Sequence, residues 1–245
     1  MRTRAWIVIM FVIRAFLMTM AAAKAQTAER PPAGVSAVEV SDYAPGRSQA
    51  REVILVSYAP GGGGSAEAWR DLAARITQGS TAIFLALEVF KKADQPLGWL
   101  PLANKGTLGM VSEYTFPQVY PKDEWVKRHP LFEGLPCGGL MDYTFCRELI
   151  ADFRYWGQAI PEEPMAGAFR TSCPGHHSEL MLSVYNLGSG RFILNSLRVR
   201  QALGQDPTAE RLLRNMLRYS ARDAAKPAVE LPAGFEGQLK AMGYE

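Results

Sequence analysis

Apolar and polar positions along the chain change period several times, and each change marks an element. "VILVSY" (53–58) is a short, partly β-branched apolar run, the pattern of a strand buried on both faces. "APGGGGS" then turns the chain into "AEAWRDLAARIT". There Trp69, Leu72, Ala73 and Ile76 fall at i, i+3, i+4 and i+7 and predict one buried helical face. Ser65 suits the N-cap, Glu67 the first turn and Gly79 the exit. "TAIFLAL" (81–87) predicts a second buried strand. Strand, helix and strand in so short a span form a βαβ unit, which requires the two strands to be parallel.

Residues 90–165 are dense in Pro, Gly and aromatic side chains and predict long loops with short strands. Order returns with "LMLSVYNL" and "RFILNSL", which flank Gly188-Ser189-Gly190 and predict a β-hairpin. The last helix is the most fully specified element. Asp206 is a good N-cap, and Pro207 takes the first helical position, where its missing N–H costs nothing. Leu212, Leu213, Met216 and Leu217 predict its buried stripe, whereas Arg211, Arg214 and Arg218 lie on another face and read as solvated. After Asp223, residues 224–245 read as a Pro- and Gly-containing tail.

The first residues have a different pattern. Arg2 and Arg4, an apolar run, then Ala23-Lys24-Ala25 ahead of Gln26 follow the order of a secretory signal peptide. A permanent anchor needs about 20 predominantly apolar residues. Arg14 interrupts this run, and a central Arg costs about 2.5–3.5 kcal/mol on insertion. The expectation is cleavage near Ala25 and export to the periplasm or outside the cell, with a membrane contact only through the signal if it stays uncleaved. Residues 26–50, rich in Ala, Pro, Ser and Gly, then read as a linker to a domain over 51–223.

Export changes the charge argument. The whole chain carries +3, but Arg2, Arg4, Arg14 and Lys24 leave with the signal, and 23 basic residues then face 24 acidic ones. No electrostatic case for nucleic acid remains. Cys137, Cys146 and Cys173 would meet oxidising conditions, where one pair could form a disulfide, and the sequence leaves the pairing open.

Several motifs look chemical and fail on detail. Gly61–Gly64 follows a strand and opens a helix, the usual place for an anion on backbone N–H groups. A P-loop would add a Lys, and the dinucleotide pattern would need Gly where Ala66 stands. A serine elbow would need Gly where Glu67 stands, so Ser65 reads as a cap. "CPGHHSE" (173–179) packs four potential metal ligands together. His176 and His177 are adjacent and diverge in either regular structure, and His129 is the only other histidine. No metal site and no cofactor are expected.

The stretch "GRFILNSLRVRQALGQDPTAERLLRNMLRYSARD", with "DEWVKRHPLFEGLP", "GGLMDYTF", "LGWLPL" and the opening βαβ unit, resembles a class I glutamine amidotransferase-like domain. The variant it resembles stands at the C-terminus of secreted bacterial glycoside hydrolases of the family 2, β-galactosidase-like type. The resemblance covers roughly residues 50–223 and implies an α/β, flavodoxin-like three-layer sandwich with a mainly parallel sheet, plus the hairpin. Working amidotransferases of this fold place a Cys in a G-x-C-x-G elbow and a His-x-Glu after a late strand. Here Arg198-Val199-Arg200 follows that strand, and the nearest imitation of the elbow is "LPCGG" at Cys137. His177-Ser178-Glu179 has the right letters one hairpin too early. A nucleophile, its base and the orienting group must lie within hydrogen-bond reach, so glutamine hydrolysis is not expected.

The expected function is therefore an exported, catalytically silent accessory or binding domain of carbohydrate metabolism, with a glycoside hydrolase or a carbohydrate as partner. A hydrolase with a displaced site and a structural domain forming a homo-oligomer are the alternatives. Ligands of open parallel sheets sit beyond the carboxyl ends of the strands. That rule selects Gly62, Gly63 and Ser65 after the first strand, Glu88 after the second and Arg198 after the last as ligand-binding candidates. Trp99, Tyr114 and Trp125 could add stacking faces for a sugar.

Overall fold

The computed structural model describes residues 10–13, 50–57, 64–110, 124–146, 148–150, 153–172 and 175–244. The βαβ unit is present as expected: β2 (Val53–Val56), α1 (Ala66–Thr77) and β3 (Thr81–Phe84), with β2 and β3 parallel. The Ser65 side chain caps α1 by accepting from the Ala68 N–H, and Trp69, Leu72, Ala73 and Ile76 are all buried. β10 (Gly190–Asn195) adds to β3 in parallel, giving a three-stranded parallel centre. A short β1 (Met10–Ile13), inside the segment read as the export signal, lies antiparallel to β2.

The expectation of a mainly parallel sheet is corrected. Among the described residues, only two of the nine strand pairings are parallel. Beyond β10 the sheet continues through β9 (Gly175–Leu187), β8 (Glu163–Ser172), β5 (Glu124–Val126) and β6 (Gly139–Leu140), each antiparallel to its neighbour. β4 (Thr107–Met110) joins through β7 (Phe153–Trp156), which meets β9 at Leu180. Parallel neighbours need a crossover of a dozen or more residues, usually a helix. The described middle of the chain offers only the one-turn helix α2 (Tyr143–Cys146), so its strands return antiparallel. The hairpin β9–β10 forms as expected, and Gly188 takes φ +60° in its turn. Gly190 lets the backbones close up, since a Cβ there would meet the Ile76 carbonyl at 2.1 Å.

Alternation along the central strands divides the core into two layers. Ile54, Val56, Phe84 and Phe192 pack under α1, whereas Val53, Ile83 and Ile193 pack with Ala209, Leu212 and Met216 of α4 (Pro207–Ser220). α1 and α4 thus pack against the two separate sets of core residues from the sheet's centre, in a mixed α/β fold with a mostly open sheet. Asp206 caps α4 by accepting from the Thr208 N–H at 2.7 Å, and Pro207 opens it.

Two expectations need correction. The stripe of α4 is turned: Leu212 and Met216 are buried with Ala209 and Tyr219, but Leu213 and Leu217 are only half-buried. Asn215 is also buried, its Nδ2 donating to the carbonyls of Leu131 and Glu133, and this fixes the helix rotation. Leu212→Ala should cost about 2–5 kcal/mol, lost burial plus cavity, and Leu213→Ala clearly less. Urea titration checks the order; equal losses would contradict it. The second correction concerns 224–245. These residues are no loose tail: they carry α5 (Phe235–Ala241), whose Phe235 and Leu239, with Met242 and Tyr244, complete the layer around Trp69 and Trp99.

Candidate functional site

The edge beyond the carboxyl ends of β2, β3 and β10 holds three of the five expected ligand-binding residues; Gly62 and Gly63 lie outside the described residues. Asn195, the last residue of β10, is buried and ties the edge together by donating to the carbonyls of Leu197 at 2.9 Å and Leu85 at 3.5 Å. The Ser65 oxygen is committed to capping α1. Glu88 is exposed in a 3₁₀ turn over Leu87–Phe90. Arg198 is exposed ahead of α3 (Val199–Ala202), with its backbone N–H donating to Leu149. Among the described residues no hydrogen bond or ion pair joins Glu88 and Arg198. Topology brings these groups to one edge without assembling them.

The motifs that imitate catalytic parts are also accounted for. Cys137 is a free, exposed thiol in the loop between β5 and β6. Cys173 and Tyr114 lie outside the described residues. His176 and His177 fall in β9, while Glu179, the last residue of "CPGHHSE", is buried and bound to Arg154 of β7 at 3.1 Å. Arg154 also holds Glu124 of β5 at 2.6 Å, so one guanidinium joins three strands. Among the described residues no group of three or more His, Cys, Asp and Glu side chains could hold a metal. No helix among them is long and apolar enough to cross a membrane.

A compact polar cluster surrounds His129. Its Nδ1 accepts from the Leu131 N–H, so in the neutral ring the proton sits on Nε2 and is donated to Glu163 at 2.5 Å. Tyr219 donates to the other Glu163 oxygen at 2.5 Å. Both ring nitrogens are engaged, which leaves no free lone pair to act as a base. Burial pushes the Glu163 carboxyl up, but the bonds from Tyr219 and His129, with the charge of Arg191, more than offset it and hold the group below its ordinary value. A carboxylate depressed in the folded state stabilises above its unfolded pKa, and that stability is lost as pH falls through the folded value. Below about pH 4.3, the unfolded glutamate value, wild type should therefore lose stability more steeply than Glu163→Gln. Identical slopes in acid titrations of unfolding would contradict this.

Lys105 has a different task. Its Nζ donates to the carbonyls of Gly98, Leu100 and Met242 at 2.7–2.8 Å, and burial, then the nearby Lys92, lowers its pKa to about 8. Three carbonyls occupy its three donors, so it clamps the 98–100 turn to the C-terminal segment rather than acting as a nucleophile.

A recess of another kind lies on the antiparallel arm. An open groove of about 960 Å³ runs between β5, the start of β6, residues 157–161 and the outer parts of β8 and β9. Trp125 lies on its floor beside Phe169, with ring centroids 6.1 Å apart and planes tilted by 35°. Gly167 makes this possible, because a Cβ there would stand 2.8 Å from the indole Cζ2. Of the two stacking candidates among the described residues, Trp125 reaches this recess and Trp99 is buried against Trp69, with centroids 6.1 Å apart. Sequence reasoning missed the contributions of Phe169, Lys127 and Arg128. The one signal available was a strand ending Trp-Val with Lys127 and Arg128 just beyond it, an aromatic close to two cations.

Comparison with protein-family models and with curated proteins returned no match for this chain.

Proposed function

We propose that this chain is an exported accessory domain that binds rather than catalyses, built on an amidotransferase-like, flavodoxin-like frame and working in carbohydrate metabolism. The observation that carries the reading is the end of β10. Where a working amidotransferase has His-x-Glu, the chain passes from Ser196 and Leu197 to the exposed Arg198 and into α3. The one described cysteine side chain, Cys137, stands in a distant loop. The parallel centre β2–β3–β10, with α1 and α4 packed against separate sets of its core residues, supports the frame, and the segment resemblance supports the association with glycoside hydrolases.

The test is two-part. Purified protein incubated with glutamine should release no ammonia; release abolished by Cys137→Ala would put a displaced-site hydrolase in its place. Calorimetric titration with galactosides, xylosides and uronic acids should detect binding that weakens in Arg198→Ala. A stable dimer that binds none of them at millimolar concentration would favour the structural, homo-oligomeric role.

A further inference from the structure

We propose that the groove over Trp125 binds a small amphipathic anion, a compound with a flat or aliphatic apolar body and one acidic head group. This rests on the binding-domain reading only in treating the groove as a binding site, and is independent of any link to carbohydrate. The first support is apolar exposure. Leu140, Ile160 and Phe169 are 66%, 93% and 58% exposed, three of the five large hydrophobic side chains so exposed among the described residues, and all three line this groove. Exposed apolar groups gathered in one concavity mark an interaction site, whereas scattered ones do not.

The second support is charge. Lys127 and Arg128 line the groove, and among the described residues no Asp or Glu does. Lys127 Nζ stands 5.7 Å from the centre of the Trp125 ring, and the Arg128 stem packs over Gly138. Among the described residues neither cation has an ion-pair partner. Two uncompensated cations beside an apolar floor favour an anion, and a charge-assisted hydrogen bond is about twice as strong as a neutral one.

The third support is what the lining lacks. Among the described residues, Gln158 and Ser178 are its only neutral polar side chains apart from the indole. A neutral sugar brings many hydroxyl groups, and each one buried without a partner costs free energy. An apolar body with a single charged head needs few partners, and these are the ones present. The volume lies within the roughly 300–1,000 Å³ of small-molecule sites.

The experiment titrates the full chain with 2-naphthoate, decanoate and the neutral 2-naphthamide by calorimetry. Naphthoate and decanoate should bind, and naphthamide about tenfold more weakly, about 1.4 kcal/mol. The double variant Lys127→Met, Arg128→Met should bind naphthoate and naphthamide alike, and Ile160→Asp, at a fully exposed rim position, should weaken naphthoate. Equal affinity of wild type for naphthoate and naphthamide would overturn the proposal, as would binding of neither. A wild-type dimer that Ile160→Asp converts to monomer would assign the groove to a second copy of the chain and overturn it as well. These outcomes are separate from the saccharide and ammonia tests, so either proposal can fail alone.

Discussion

A chain ending at Pro232 should fail to fold cooperatively. The missing residues carry Phe235, Leu239, Met242 and Tyr244, all buried in the layer under α1. At about 1.5–3 kcal/mol per buried side chain, Phe235, Leu239 and Met242 alone contribute roughly 5–9 kcal/mol. Whole domains are stable by about 5–15 kcal/mol, so the loss is of the order of the total. Specific contacts go too. Tyr244 donates its hydroxyl to the Trp99 carbonyl and packs edge-on against that ring, with centroids 5.5 Å apart. Lys105 loses the Met242 carbonyl and Lys92 loses Gly243. Trp69, stacked on Trp99, would lose its cover. The measurements are near-ultraviolet circular dichroism and urea unfolding. The expected result is no tertiary signal and no cooperative transition; a wild-type midpoint would show that the segment is an appendage.

Arg154→Met should destabilise the protein by about 3–5 kcal/mol, the usual cost of breaking a buried ion pair from one side. Arg154 lies in β7, buried, and holds Glu179 of β9 and Glu124 of β5. Methionine fills similar volume, so the loss comes from one buried carboxylate, Glu179, and one half-buried, Glu124, deprived of this guanidinium. That cause makes a second expectation. Adding Glu124→Gln and Glu179→Gln to Arg154→Met should recover part of the loss, because neutral amides leave no uncompensated charge. Urea titration at unchanged m-value measures both. A single-variant loss within about 0.5 kcal/mol, the range of ordinary surface changes, would show that the cluster does not hold the strands.

How much of this was legible follows from the physics of each element. α1 and α4 were readable because a cap and a regular period agree in each, with a first-turn proline added in α4. The rotation of α4 was not: Leu212, Leu213, Met216 and Leu217 are equally apolar, and the choice among them is made by Asn215 reaching the 131–133 turn. The C-terminal segment does show Phe235, Leu239 and Met242 at i, i+4 and i+7, but Gly237 inside it and Pro and Gly ahead of it hide so short a helix. The parallel centre was readable from the βαβ unit, and extending that pattern to the whole sheet was the error. Chain between strands without a long helix returns antiparallel.

The candidate site divides the same way. Strand-end loops can be named from sequence, so Ser65, Glu88 and Arg198 follow the ends of β2, β3 and β10 by chain order alone. The groove depends on register. β8 carries irregularities between Pro164 and Ala166 and between Ala166 and Gly167. A one-residue shift moves every following side chain to the other face. The β5–β8 register sets Gly167 opposite Trp125, the β8–β9 register past those irregularities sets Phe169 opposite Ser178, and together they bring the aromatic pair to one side. Nothing in the alternation of the letters reports this.

Crystals of the full chain soaked with 2-naphthoate test most directly where this domain binds. The account predicts a ring lying over Trp125 between Phe169 and Ile160, with its carboxylate at Lys127 and Arg128. Occupancy beyond the carboxyl ends of β2, β3 and β10 beside Arg198, with the groove empty, would contradict it.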